Sequence, residues 1–181
     1  MQTYIALLRG INVSGHKKIK MSDLRAYLEE IGFQDVQTYI QSGNIVFRSK
    51  KLPSDDLEIL IKNKIQEKYG FDVPVVVITP DEINYAANNN PFEKDSTKDP
   101  KKFAVVFLQE RPSQENIEIL KGYDYSPEEY ILTNKIIYFY AANGAGNAKM
   151  TNNFFENKLK VKATSRNWKT TNKLLEMANS I

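Results

Sequence analysis

Ten residues, Arg9-Gly10-Ile11-Asn12-Val13-Ser14-Gly15-His16-Lys17-Lys18, combine two glycines, an arginine, two lysines and several amide or hydroxyl donors. A strand-like run, Thr3-Tyr4-Ile5-Ala6-Leu7-Leu8, leads into them, and a helical pattern opens behind them at Met21-Ser22-Asp23. A strand that turns through glycines into a helix presents backbone N–H groups, and the basic side chains add charge. This combination suits an anion. The fixed glycine spacings of dinucleotide and nucleotide-triphosphate loops are absent. The same residues also fit a structural connection whose glycines only supply φ > 0. Both readings stand at this stage.

Three further stretches carry donors. Ser42-Gly43-Asn44 is a short polar link between two β-rich runs, and Tyr39 and Gln41 lie at the end of the first of them. Thr164-Ser165-Arg166-Asn167-Trp168 precedes an apolar helical face. There Thr164 or Ser165 is expected to cap the last helix, with Arg166 and Asn167 facing a polar ligand and Trp168 anchoring the helix. Asn143-Gly144-Ala145-Gly146-Asn147-Ala148-Lys149 reads either as an anion cradle ending in Lys149 or as a flexible loop.

Much chemistry is excluded by composition. Cysteine is absent and His16 is the single histidine. A thiolate nucleophile, cysteine-ligated zinc and a two-histidine metal site within one chain are therefore ruled out. Acidic pairs such as Glu29-Glu30 and Asp55-Asp56 fall on helical surfaces, where they serve the helix dipole rather than acid–base catalysis. No metal or cofactor is called for, and a net charge of +3 is mild for a nucleic-acid binder. The longest apolar run falls far short of the ~20 residues that cross a bilayer. The chain opens directly on a strand pattern without a leader, so a cytoplasmic protein with no membrane partner is expected.

The positioning elements follow from periodicity. Met21, Leu24, Tyr27, Leu28 and Ile31 recur at helical spacing, with Ser22 as expected N-cap and Gly32 as terminator. Residues 36–41 and 45–48 alternate as strands around Ser42-Gly43-Asn44. A helix runs from Pro53 to Gly70 with Leu57, Leu60, Ile61 and Ile65 on one face. An edge strand at 73–78, marked by Pro74, and a helix at 81–89 complete the first half. The second half repeats the rhythm: strand 103–108, helix 113–120, strands 130–133 and 136–140, helix 151–159, strand 160–163 and helix 166–178.

Both halves thus read β-α-β-β-α-β-α. The fold class expected is α+β, two tandem ferredoxin-like halves with antiparallel sheets, each followed by an extra helix. The boundaries expected are residues 1–90, a linker at 91–102, and residues 103–181. In this topology the loop after the first strand and the turn between the second and third strands share one end of the sheet. Arg9, Gly10 and Asn12 are therefore expected beside Ser42 and Asn44, with Tyr39 and Gln41 nearing the same rim. Aromatic residues on the strands (Tyr4, Phe47, Tyr138, Phe139, Tyr140) invite comparison with RNA-binding sheets. The RNA-binding signature is missing and both strand faces are apolar, so the second face is expected to be covered.

Residues 4–13 (Tyr-Ile-Ala-Leu-Leu-Arg-Gly-Ile-Asn-Val) and 38–44 (Thr-Tyr-Ile-Gln-Ser-Gly-Asn) resemble an uncharacterised bacterial family, domain of unknown function 1697. So do Met21, Leu24-Arg25, Gly32-Phe33, Lys149, Thr151, Phe155-Glu156, Leu159 and the run Ala163 to Thr170. Where that family often carries a glycine, this chain has Ser14. The resemblance implies a cytoplasmic α+β protein and supplies no reaction, substrate or cofactor.

Three functions remain open. The first is binding of a small anionic or nucleotide-like ligand at the rim, through Arg9, Asn12, Gln41, Ser42 and Asn44. The second is nucleic-acid binding through Lys17, Lys18, Lys20, Arg48, Lys50 and Lys51. The third is a small enzyme in which Ser42 or Tyr39 assists proton transfer and Arg9 or Arg166 stabilises negative charge.

Overall fold

The computed structural model describes residues 1–181. Its first repeat comprises β1 (Gln2–Leu8), α1 (Met21–Glu30), β2 (Gln34–Tyr39), β3 (Asn44–Ser49), α2 (Ser54–Tyr69), β4 (Val75–Ile78) and α3 (Pro80–Asn88). The second comprises β5 (Phe103–Leu108), α4 (Gln114–Lys121), β6 (Glu129–Thr133), β7 (Ile136–Tyr140), α5 (Asn152–Leu159), β8 (Ala163–Asn167) and α6 (Trp168–Ala178). The strands form two four-stranded antiparallel sheets, ordered β2-β3-β1-β4 and β6-β7-β5-β8. The α+β class with two similar halves is as the sequence predicts. By contacts the chain forms two compact units, Met1–Asn84 with Lys173–Ile181, and Tyr85–Asn172. Residues 91–102 hold two 3-10 turns, Pro91–Lys94 and Pro100–Lys102, each opened by an Asn or Asp side chain accepting from the turn's backbone.

Alternation along β1 sends Tyr4, Ala6 and Leu8 to the face packed by α1 and α2, where they meet Leu24, Leu28, Leu57, Ile61 and Ile65. Ile5 and Leu7 point the other way and are also fully buried, so no aromatic-bearing face of this sheet is open to stack bases. In the second unit Val106, Leu108, Ile137 and Phe139 pack with Leu120, Phe155 and Leu159. Helix α1 ends in a Schellman motif: Gly32, at φ 93, donates to Glu29 O (2.9 Å) and Phe33 to Leu28 O (3.3 Å). Gly70, in the left-handed region, ends α2. Pro74 adjoins β4, which lies at the sheet edge where a missing N–H costs no ladder bond.

Four local expectations are corrected. Ser22 is not the cap of α1: the Lys20 carbonyl already accepts from Leu24 N–H at 3.0 Å, so the cap and the helix start lie two residues earlier. Leu60 lies off the buried stripe and is 40 % exposed; Leu57, Ile61 and Ile65 carry that face, with the buried Glu58 carboxylate accepting from Val77 N–H at 2.8 Å. Residues 160–163 do not form the last strand, because Lys160 must take a left-handed conformation to end α5. The strand begins at Ala163, in register with Leu108, and runs to Asn167 opposite Ala104. Thr164, Ser165 and Arg166 therefore lie in a strand, and the α6 cap falls to Asn167, whose Oδ1 accepts from Thr170 N–H at 2.8 Å.

Candidate functional site

The loop after β1 is shaped by backbone conformations that most side chains avoid. Gly10, Asn12, Ser14, Gly15 and Lys17 all have positive φ. Ser14 and Gly15 form the centre of a tight turn, closed by His16 N–H to Val13 O at 2.9 Å, with Asn12 N–H to Lys17 O at 3.1 Å below it. Ser14 (φ 48) thus occupies a position where glycine is favoured. Glycine takes such a φ without strain, so the strain falls on the non-glycine residues, Ser14 and Lys17 above all, and persists only where the surroundings determine it.

What determines it here is Asn12. Its Nδ2 donates to Ile19 O (2.9 Å) and to Gln41 O (2.8 Å), and its Oδ1 accepts from Ile19 N–H (2.8 Å). One side chain thereby closes the loop on itself and ties it to the β2–β3 turn. A second tie is Leu8 N–H to Gly43 O at 2.8 Å. Gly43 has φ 80, and a Cβ there would fall 2.4 Å from Leu8 Cβ, so only glycine fits. Asn44 is fully buried and donates to Tyr39 O (3.1 Å) and Ser42 Oγ (2.9 Å). The two loops meet, but the amide of Asn12 is committed to holding them together and that of Asn44 to bracing the β2–β3 turn from within.

The open space beside this junction is a cavity of about 660 Å³ lined by Asn12, Gly15, Lys18, Ile19, Lys20, Met21, Ser22, Asp23, Gln41 and Tyr69. Its wall includes the first turn of α1, whose N-cap residue Lys20 makes no side-chain cap, so the leading N–H groups there have no side-chain acceptor. Lys18 and Lys20 are exposed on its border. Asp23 receives the Ser22 hydroxyl at 3.0 Å. Tyr69 packs edge-on to Tyr27 and stacks on Phe71, and its hydroxyl oxygen is buried without a hydrogen-bond partner. Burial, then the charge of Asp23, pushes the Tyr69 phenol upward, so it stays a neutral donor.

Of the rim residues read from sequence, Asn12 and Gln41 line this cavity, while Arg9, Gly10, Tyr39, Ser42 and Asn44 lie outside its lining. Arg9 N–H donates to Pro74 O at 3.0 Å, joining the loop to β4. Tyr69, Ser22 and Asp23 were not anticipated as lining. The signal available was a helix start without a capping residue at position 20.

The remaining candidates belong to the second unit. Arg166 is 8 % exposed on β8; its guanidinium donates to Thr164 Oγ1 (3.0 Å) and Ser165 O (2.8 Å). Burial draws its pKa down to about 10. Lys149 is held by its backbone, the buried Glu128 carboxylate accepting from Lys149 and Met150 N–H at 2.8 and 3.0 Å, while its ammonium sits 5.7 Å from the Tyr125 ring centre. The Asn143–Lys149 loop carries a 3-10 turn, Ala145–Asn147. The basic residues proposed to contact nucleic acid fall into two groups. Lys17, Lys18 and Lys20 follow the C-terminal end of β1, whereas Arg48, Lys50 and Lys51 adjoin its N-terminal end, where Gln2 pairs with Ser49. At ~3.3 Å per residue these ends lie about 20 Å apart. Lys17 already donates to Asp72 O, and Arg48 pairs with Asp35 at 3.4 Å.

The second repeat shows what this corner looks like without a long loop. Leu108 N–H donates to Lys135 O and Gln109 N–H to Lys162 O, both at 2.9 Å, reproducing the ties made by Leu8 and Arg9. Five residues later α4 begins, capped by Ser113 Oγ accepting from Asn116 N–H at 3.2 Å. The long loop and uncapped helix belong to the first repeat.

No helix is long and apolar enough to cross a membrane. Comparison with curated proteins finds no match. A solved structure described as a conserved bacterial protein from Streptococcus pneumoniae is similar over 98 % of both chains, with a TM-score of 0.77 and 23 % identity, a likeness of fold. Residues 1–138 match the family described as "Protein of unknown function (DUF1697)", and on that match, which spans most of its length, the chain belongs to this family.

Proposed function

We propose that this protein binds a small phosphate-bearing, nucleotide-like ligand in the cavity between the first loop, the start of α1 and the β2–β3 turn. One observation carries the reading: an uncapped helix start forms part of the wall of a cavity bordered by two lysines. The partial positive charge of those N–H groups suits a phosphate, and Lys18 and Lys20 add to it. The Tyr69 hydroxyl, buried and unpartnered, supplies a further donor. Asp23 repels a bare anion but accepts from hydroxyl groups, which favours a phosphorylated sugar or nucleotide over inorganic phosphate. The Arg9–Asn12 segment and the Tyr39–Asn44 turn act as the frame that fixes this geometry.

Calorimetric titration with AMP, adenosine and inorganic phosphate tests the proposal. AMP is expected to bind more tightly than either of the others. Replacing both Lys18 and Lys20 by alanine is expected to weaken it about tenfold, the loss of roughly 1.4 kcal/mol of charge-assisted contact. Equal affinity for AMP and adenosine, or no AMP binding, defeats it.

A further inference from the structure

The second unit contains another cavity, of about 260 Å³, at one end of the helix-covered face of its sheet. Its floor is apolar: Ala104 and Val106 of β5, Phe139 of β7, and Met150. Ala145 and Ala148 of the Asn143–Lys149 loop form part of its wall. Polar groups come from Thr151 and Asn152 at the start of α5, from Ser165 and Asn167 on β8, and from Lys101 and Lys102, of which Lys102 donates its ammonium to Ala142 O and Thr151 caps α5.

Asn152 Oδ1 is buried and has no hydrogen-bond partner. A buried acceptor left unsatisfied is costly, and such groups are normally found paired with protein or an ordered molecule. A single water could satisfy the oxygen but would leave the apolar floor unfilled. An apolar cavity of roughly 150 Å³ already admits benzene. The space therefore matches a ring-sized molecule better than one water.

We propose that this cavity is a second binding site, for a small flat ring that carries an N–H or O–H donor. The ring lies against Val106 and Phe139, and its donor meets Asn152 Oδ1. This site is independent of the cavity beside α1 and takes a neutral, largely apolar ligand.

Titration of isotope-labelled full-length protein with indole and with indene, the same bicyclic frame without the N–H, tests the assignment. Indole is expected to shift the methyl signals of Val106, Ala148 and Met150 and the Asn152 amide. It should bind at least about tenfold more tightly than indene, one hydrogen bond to an otherwise unpaired group. Asn152→Leu should lower indole to the level of indene, whereas Asn152→Asp, which keeps the acceptor, should retain it. Ala145→Phe, an exposed loop substitution, should abolish binding by occluding the wall. Equal affinity for the two probes, indole binding unchanged in Asn152→Leu or in Ala145→Phe, or no shift at the lining residues would each overturn the proposal; the last would mean a cavity that holds only water.

Discussion

Asn12 and Asn44 grip the carbonyls on either side of Ile40: Asn12 Nδ2 donates to Gln41 O at 2.8 Å and Asn44 Nδ2 to Tyr39 O at 3.1 Å. Between these anchors Ile40, a β-branched residue 52 % exposed to solvent, is held at φ 48. Isolated, that conformation is unfavourable for isoleucine. The two amides come from opposite sides of the junction, one from the long loop and one from β3.

Asn12→Ala removes three hydrogen bonds and places alanine at a positive φ. The expected loss is about 2–4 kcal/mol in chemical denaturation. AMP affinity should fall with it, since the loop bordering the cavity loses its internal tie. A drop below about 1 kcal/mol would show that the loop holds its shape without this side chain.

Ile40→Gly is expected to stabilise the protein by up to about 1 kcal/mol, because glycine adopts this conformation without strain. Gly43→Ala is expected to act in the opposite sense by about 3 kcal/mol or more, since its Cβ meets Leu8 Cβ at 2.4 Å. Gly10→Ala, at φ 74 with open space around it, should cost only about 1 kcal/mol. Thermal melts of the three variants give the order directly.

Lys20→Ser separates stability from binding. Lys20 has the extended backbone of an N-cap, φ -75 and ψ 132, yet offers no acceptor. A serine there should add about 1 kcal/mol of stability. The same hydroxyl competes for the N–H groups assigned to phosphate, so AMP binding should weaken as the melting temperature rises. If affinity is unchanged while stability increases, the start of α1 is not where the ligand sits.

Alkaline pH should expose Tyr138. Its hydroxyl donates to Tyr85 O at 3.3 Å, and burial raises its pKa well above the ordinary tyrosine value. A folded-state pKa above the unfolded one means that the stabilisation is complete below about pH 10, the unfolded value. It is then lost progressively as pH rises toward the folded value, since only the unfolded chain releases the proton. Tyr138→Phe should therefore flatten the decline in stability above about pH 10, measured by denaturation at stepped pH.

The sequence made the strand and helix order legible because each half carries unbroken periodicity: Tyr4, Ala6 and Leu8 on one face of β1, and Leu57, Ile61 and Ile65 along α2. The meeting of the first loop with the β2–β3 turn followed from topology alone. The side-chain roles did not follow. Asn12 and Asn44 are polar residues in polar loops, and nothing in their spacing indicates that their amides are spent on backbone carbonyls. Tyr69 sits where α2 ends, 57 residues after Asn12, and reaches the cavity only through the packing of α2 beside α1. Arg166 was misplaced because the end of α5 at Lys160 shifts the last strand by three residues.

Two main-chain ties secure the end of β1: Leu8 N–H to Gly43 O and Arg9 N–H to Pro74 O. Their counterparts at Leu108 and Gln109 secure a much shorter connection just as well. Neither of the two ties of β1 involves a side chain of residues 13–18. Under the binding proposed above, that stretch would act as a cassette, open to rewriting or lengthening to change the ligand while these two ties stay in place.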